Sequence, residues 1–113
     1  MATLEQLHSI VLSYPDTSEG THFHMRSYDV SGKGFVSIDK DQSHVMLRLD
    51  RETINRVVHD DPEIFKEVWR NKKYLIGIRF ELAKVPAKQL GQIVEQSWKT
   101  KAPKKLIKSF ENR

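Results

Sequence analysis

Three short segments of alternating apolar residues, joined by turns too tight for a crossover, constrain this chain more than any other feature. Tyr28 and Val30 lead into Ser31-Gly32-Lys33-Gly34, where glycine supplies the positive φ that a hairpin needs. Val36 and Ile38 then alternate with Ser37 and Asp39, and Lys40-Asp41-Gln42 makes a second turn. Val45, Leu47 and Leu49 alternate with His44, Met46 and Arg48. A period of two marks strands with one buried and one wetter face. A parallel pair requires a connection of roughly a dozen residues or more, so strands joined this closely are antiparallel. The apolar face of such a meander has to be covered.

Helices are available to cover it. Thr3-Leu4-Glu5-Gln6 reads as a capping box, Leu4, Leu7, Val11 and Tyr14 recur on one helical face, and Pro15 stops the run. Asp16 to Gly20 reads as a polar loop. A second helix starts at Asp50, with Leu49 and Ile54 placed as a hydrophobic staple and Val57 and Val58 continuing its apolar face. Asp61-Pro62 is a carboxylate followed by proline, which predicts one short helical turn through Ile64 and Phe65. Tyr74, Ile76, Ile78, Phe80 and Leu82 alternate with Arg79 and Glu81 as a long amphipathic strand, with space for a short partner near Trp69. Pro86 opens a third helix with a buried stripe of Leu90, Ile93, Val94 and Trp98. Pro103 interrupts it, and Leu106, Ile107 and Phe110 predict a last turn or two. The expected fold is α+β in two layers, an antiparallel sheet of four to five strands with helices on one face, in the order α-β-β-β-α-β(β)-α. Residues 1–113 read as one domain, with no internal repeat or linker.

Composition removes several function classes. The 113 residues include no cysteine, which excludes a disulfide framework, thiolate zinc sites and cysteine catalysis, and fits a reducing compartment. The segment from Met1 to Glu5 lacks the basic-then-apolar pattern of a signal peptide, and no apolar run reaches membrane-spanning length, so the cytosol is the expected location. The net charge of +4 is unevenly placed: residues 1–65 carry a net of −5 and residues 66–113 a net of +9. Such asymmetry points to a polyanionic partner, or to attraction between the two halves of one fold.

Glu19-Gly20-Thr21-His22-Phe23, Tyr28 and Gly32-Lys33-Gly34-Phe35-Val36-Ser37 resemble the "EG…F…GKxFA" opening of the MmcQ/YjbR family. Asp61-Pro62-Glu63-Ile64-Phe65 is similar to that family's "DPxxF" segment, and the stretch from Ser97 to Leu106 to its C-terminal "Sy…apkrl" stretch. The chain departs from the family pattern at His24-Met25-Arg26 and in the glycine-free run from Trp69 to Tyr74. The resemblance implies a two-layer fold like that of CyaY or secretion chaperones, implies DNA binding, and implies no enzymatic activity.

The strongest functional candidate is cationic. Lys101, Lys104, Lys105 and Lys108 are spaced by three and four residues and share one side of a helix if the helix continues past Pro103. Lys88 and Lys99 are near in sequence, and Arg70, Lys72 and Lys73 form a second cluster. Cations spread over a face neutralise backbone phosphates and release counterions, which gives weak DNA binding without sequence preference. The competing readings are a solvated lysine face kept for solubility, and a protein–protein or small-ligand module with no nucleic-acid role. With Tyr74, Phe80 and Trp98 expected in the core, no stacking platform is foreseen, and duplex is favoured over single strands. Phe110 is expected to dock on the domain rather than on lipid, so no membrane partner is foreseen. His22 and His24 would project to one side of a strand with His44 or His59 nearby, but no third ligand is evident and no metal is expected. Glu19 with His22, or Asp39 with Asp41, are acid–base pairs placed on turns, where carboxylates ordinarily cap backbone N–H groups. Gly32-Lys33-Gly34 is too short to cradle a phosphate by itself, and no nucleophile elbow, P-loop or dinucleotide fingerprint is present. The expectation is a binding module without catalytic residues or cofactors, of undetermined oligomeric state.

Overall fold

The computed structural model describes residues 2–22 and 25–112, with nothing said of the His22 side chain. The elements are α1 (Leu4–Leu12), β1 (Thr17–His22), β2 (Met25–Val30), β3 (Lys33–Ile38), β4 (His44–Arg48), α2 (Arg51–Asp60), β5 (Lys66–Arg70) and β6 (Tyr74–Glu81). A 3₁₀ turn at Leu82–Lys84, α3 (Ala87–Lys101) and α4 (Lys104–Glu111) follow. The strands form one antiparallel sheet in the order β1-β2-β3-β4-β6-β5, with helices packed on it. No helix among the described residues is long and apolar enough to cross a membrane.

The helix signals work as the sequence predicts. Thr3 and Gln6 exchange the two hydrogen bonds of the capping box, and the Asp50 side chain accepts from the Thr53 N–H. Asp61 to Phe65 makes a single turn, with the Asp61 carbonyl accepting from both Ile64 and Phe65. The Ser31-Gly32 turn has φ of +50° and +80°, as a two-residue hairpin requires. Val45, Leu47, Ile78 and Phe80 are buried as the alternation requires, and Trp98 is fully buried between Tyr14 and Phe110. The Trp98 indole N–H donates to the Pro15 carbonyl at 3.1 Å, so Phe110 docks on the domain against an already fixed ring.

Four features correct the sequence expectations or go beyond them. The sheet has six strands, because Thr17–His22 is an edge strand rather than a polar loop. It escapes the alternation rule because an edge strand with exposed side chains needs no apolar residue. Its Glu19 is held by two hydrogen bonds, 2.9 and 2.8 Å, from the Arg26 guanidinium. Second, β2 and β3 change register between Tyr28 and Asp29: Tyr28 faces Val36 and Asp29 faces Gly34, which leaves Phe35 unpaired. Strict alternation would place either Phe35 or Val36 outside, but the bulge lets both be buried. The buried Ser97 hydroxyl donates to the Phe35 carbonyl at 3.2 Å, pinning α3 onto this bulge.

Third, Tyr74 lies outside the core, 60% exposed. A register shift between Val68 and Trp69 changes the phase at the start of β6, so Leu75 packs on the core and Tyr74 faces Arg70. Fourth, Lys101, Lys104, Lys105 and Lys108 do not share one helix. Ala102 is extended at ψ 146°, because a residue preceding proline is pushed out of the helical region, and α4 starts afresh after Pro103.

Candidate functional site

Antiparallel pairing brings the start of β3, the end of β4, the end of β5 and the start of β6 to the same end of the sheet. Each of the first three carries a cation there: Lys33, Arg48 and Arg70. The Ser97 hydrogen bond to the bulge fixes the last turns of α3 above β3, and Lys101 follows Ser97 by four residues, on the same helix face. All four cations line one groove of about 510 Å³, whose remaining lining includes Ser27, Ser37 and Met46 of the middle strands. Arg48 and Lys101 are half-buried within it, and Lys33 and Arg70 are exposed at its margin.

The electrostatics of this groove are unbalanced. Among the described residues, none of the four is in an ion pair. Asp29 is the one carboxylate on the lining, and it pairs with none of them. Burial pushes the Lys101 ammonium below the usual lysine range, and the charges of Arg48, Lys33 and Arg70 push it further. Burial likewise lowers Arg48, with Arg70 adding to the effect. Arg48 and Lys101 are therefore held near their neighbours at a free-energy cost, which an anion in the groove would reverse.

The cations singled out from sequence are distributed unequally about this centre. Arg70 and Lys101 belong to it. Lys72 and Lys73 are exposed on the β5–β6 turn just beyond Arg70, where Asn71 and Lys72 have φ of +52° and +59°. Lys88 lies in a separate cleft of about 490 Å³ between α1 and α3. It is thirteen residues before Lys101, roughly 20 Å along the helix axis. Lys99 is committed to carboxylates, 3.6 Å from Glu95 and 3.4 Å from Glu111. Lys104, Lys105 and Lys108 are exposed on α4. Lys33 and Arg48 escaped the sequence reading. Arg48 falls in phase with His44 and Met46 on the outer face, and Lys33 sits between two glycines, but their meeting depends on strand order.

The other constellations are accounted for by local structure. Asp39, Asp41 and His44 gather at the β3–β4 turn. Asp39 accepts from the Arg79 guanidinium at 2.9 Å and from the His44 N–H at 3.2 Å. Asp41 accepts from the Ser43 hydroxyl and N–H; hydrogen bonding with the adjacent Asp39 side chain, and then these two bonds, hold its carboxyl well below the usual range. These are turn caps. Glu19 is occupied by Arg26, and His24 and the side chain of His22, the histidine pair weighed above for a metal and set aside, lie outside the described residues.

The family model YjbR matches residues 12–100. The chain belongs to the YjbR family. This YjbR domain is also similar in structure to protein DR2400 of Deinococcus radiodurans, a protein with the domain DUF419. The TM-score is 0.72 at 22% sequence identity, over 87% of this chain and 77% of that one, so the likeness is one of fold. No curated protein matches the chain. The match spans Lys33, Arg48 and Arg70 and stops one residue before Lys101.

Proposed function

We propose that this domain is a binding module, without a catalytic step of its own, that holds nucleic acid by its phosphates at the basic end of the sheet, weakly and without sequence choice. The observation that carries this reading is the convergence of Lys33, Arg48, Arg70 and Lys101 on one groove without a paired carboxylate. Cations that only keep a protein soluble spread apart into solvent; these crowd together, and Arg48 and Lys101 are partly withdrawn from it. From β3 to β5 is three strand spacings, about 14 Å, so the charges are strung along a track as well as gathered round a recess. Lys72 and Lys73 extend that track beyond Arg70. Compared with the sequence reading, the centre of the interface moves from α4 to the groove.

The test is fluorescence anisotropy of a labelled oligonucleotide at several salt concentrations. Three to four neutralised phosphates predict a log–log salt slope of about −2 to −4. Replacing Lys33, Arg48, Arg70 and Lys101 together by uncharged residues should abolish binding, while alanines at Lys104, Lys105 and Lys108 should weaken it no more than a few-fold. No binding at low salt would refute the reading, and the opposite pattern of variants would return the interface to α4.

A groove of about 510 Å³ also has the dimensions of a small-molecule site, which favours a compact phosphorylated ligand as a second reading. In that case a nucleoside triphosphate binds alone with micromolar affinity and displaces the oligonucleotide.

A further inference from the structure

Resting on the nucleic-acid reading above, we infer that the polymer is single-stranded and that Tyr74 stacks on one of its bases. Tyr74 stands at the start of β6, at the basic end of the sheet, and is the most exposed large apolar side chain among the described residues. It is the register partner of Arg70, and direct cross-strand partners share a face with their side chains about 5 Å apart. Arg70 lines the groove, so the phenol ring lies on the groove's side of the sheet beside one of its cations. No described residue stacks on that ring or hydrogen-bonds to it. Trp69, the other exposed aromatic among the described residues, is placed differently: it pairs with Leu75, which packs on the core, and its indole N–H donates to Glu67. Among the described residues, the exposed aromatic next to the cations is therefore Tyr74.

Two physical arguments select a single strand. In a duplex each base face is covered by the next base pair, so a surface tyrosine finds no free π-face, whereas an unpaired strand offers one at every nucleotide. A duplex also carries its phosphates on a stiff, convex ridge, while Arg48 and Lys101 are recessed in a groove that a flexible strand can bend into. A phosphate on Arg70 and a base on Tyr74 are within reach of the same or adjacent nucleotides. A cationic track with an aromatic ring beside it is how proteins hold single strands without reading sequence, and one stacked base is worth roughly a five-fold or larger change in affinity.

The experiment titrates the full chain against fluorescein-labelled 15-mers of oligo(dT) and oligo(U), and against a DNA duplex of the same length, for the wild type, Tyr74→Ala and Tyr74→Phe. The inference requires tighter binding of at least one single strand than of duplex. It also requires a loss of roughly five-fold or more in Tyr74→Ala on that strand, retention in Tyr74→Phe, and an unchanged salt slope. The stronger of the two single strands identifies DNA or RNA as the source of the shared chemistry. Because Tyr74 is exposed, thermal melts of both variants should match the wild type. Duplex bound as tightly as single strand, or Tyr74→Ala without effect on single-strand affinity, overturns the inference while leaving the nucleic-acid reading in place. Failure of all three probes to bind at low salt removes both.

Discussion

Gly77→Ala is the sharpest test of how the sheet that carries the groove is built. A methyl group on Gly77 would collide with the Leu47 carbonyl oxygen, with the Leu47 carbonyl carbon at 3.0 Å and the Arg48 Cα at 3.3 Å. All three atoms are backbone and none can rotate away. Ordinary carbon–carbon contacts begin near 3.5 Å, so β4 and β6, neighbours in the middle of the sheet, must separate by roughly 1 Å. Overpacking of this kind costs about 1–3 kcal/mol. Weakening one or two ladder hydrogen bonds around the Arg48–Gly77 pair adds about 1 kcal/mol each. Alanine's smaller loss of chain entropy returns about 0.5–1 kcal/mol. The net expectation is a loss of about 2–4 kcal/mol. At an m-value of about 1.5 kcal/mol/M, that lowers the urea midpoint by roughly 1.3–2.7 M. Gly91→Ala is the control: Gly91 is inside α3 with nothing within 4 Å of an added methyl, so the same substitution should stabilise by about 0.5–1 kcal/mol. Urea denaturation followed by circular dichroism reads both. A loss below about 1 kcal/mol at Gly77, or equal shifts at the two sites, would refute the reasoning.

Further expectations concern the groove and its supports. Lys101→Met removes a crowded charge and keeps the aliphatic stem, so it should stabilise the free protein by a few tenths of a kcal/mol after solvent screening while weakening oligonucleotide binding. The pH dependence has a definite sign. Lys101 has a lowered pKa when folded, so its penalty is fully present at neutral pH. The penalty is relieved as pH rises through the lowered value toward the ordinary 10.5, where the unfolded chain binds more protons than the folded one. Thermal melts should therefore show the stability gap between Lys101→Met and wild type narrowing on the alkaline side. Lys72→Gly relieves a non-glycine φ of +59° and should stabilise by about 0.5–1 kcal/mol in denaturation, with a small loss of affinity in anisotropy. Ser97→Ala leaves the Phe35 carbonyl without its side-chain donor and should cost about 1–2 kcal/mol in urea denaturation.

Part of the candidate site was readable before the fold was known. Arg70 and Lys101 were chosen from sequence because they belong to basic clusters, and both line the groove. The same criterion also chose Lys99, which is paired with Glu95 and Glu111, and Lys88, which lies in another cleft. Clustering in sequence cannot separate such cases, because a helix turns successive lysines toward different neighbours. Lys33 and Arg48 were passed over because neither belongs to a run of cations: Lys33 sits between glycines and Arg48 between leucines.

What the sequence determined by itself is local. The capping box at Thr3, the turn at Ser31-Gly32, the alternation from Val45 to Leu49 and the break before Pro103 depend on residues a few positions apart, whose sterics and hydrogen bonds act within one segment. Tertiary structure decided what depends on segments meeting. The bulge that buries Phe35 beside Val36, the shift that turns Tyr74 outward and the polar edge strand at Thr17–His22 are properties of strand pairs. The cationic groove is a property of four segments that converge at one end of the sheet: β3, β4, β5 and the last turn of α3. Charge repulsion among those segments disfavours the arrangement locally. It persists because the buried core, with Trp98, Phe35, Leu47 and Ile78 fully packed, fixes their positions more strongly than the cations oppose them.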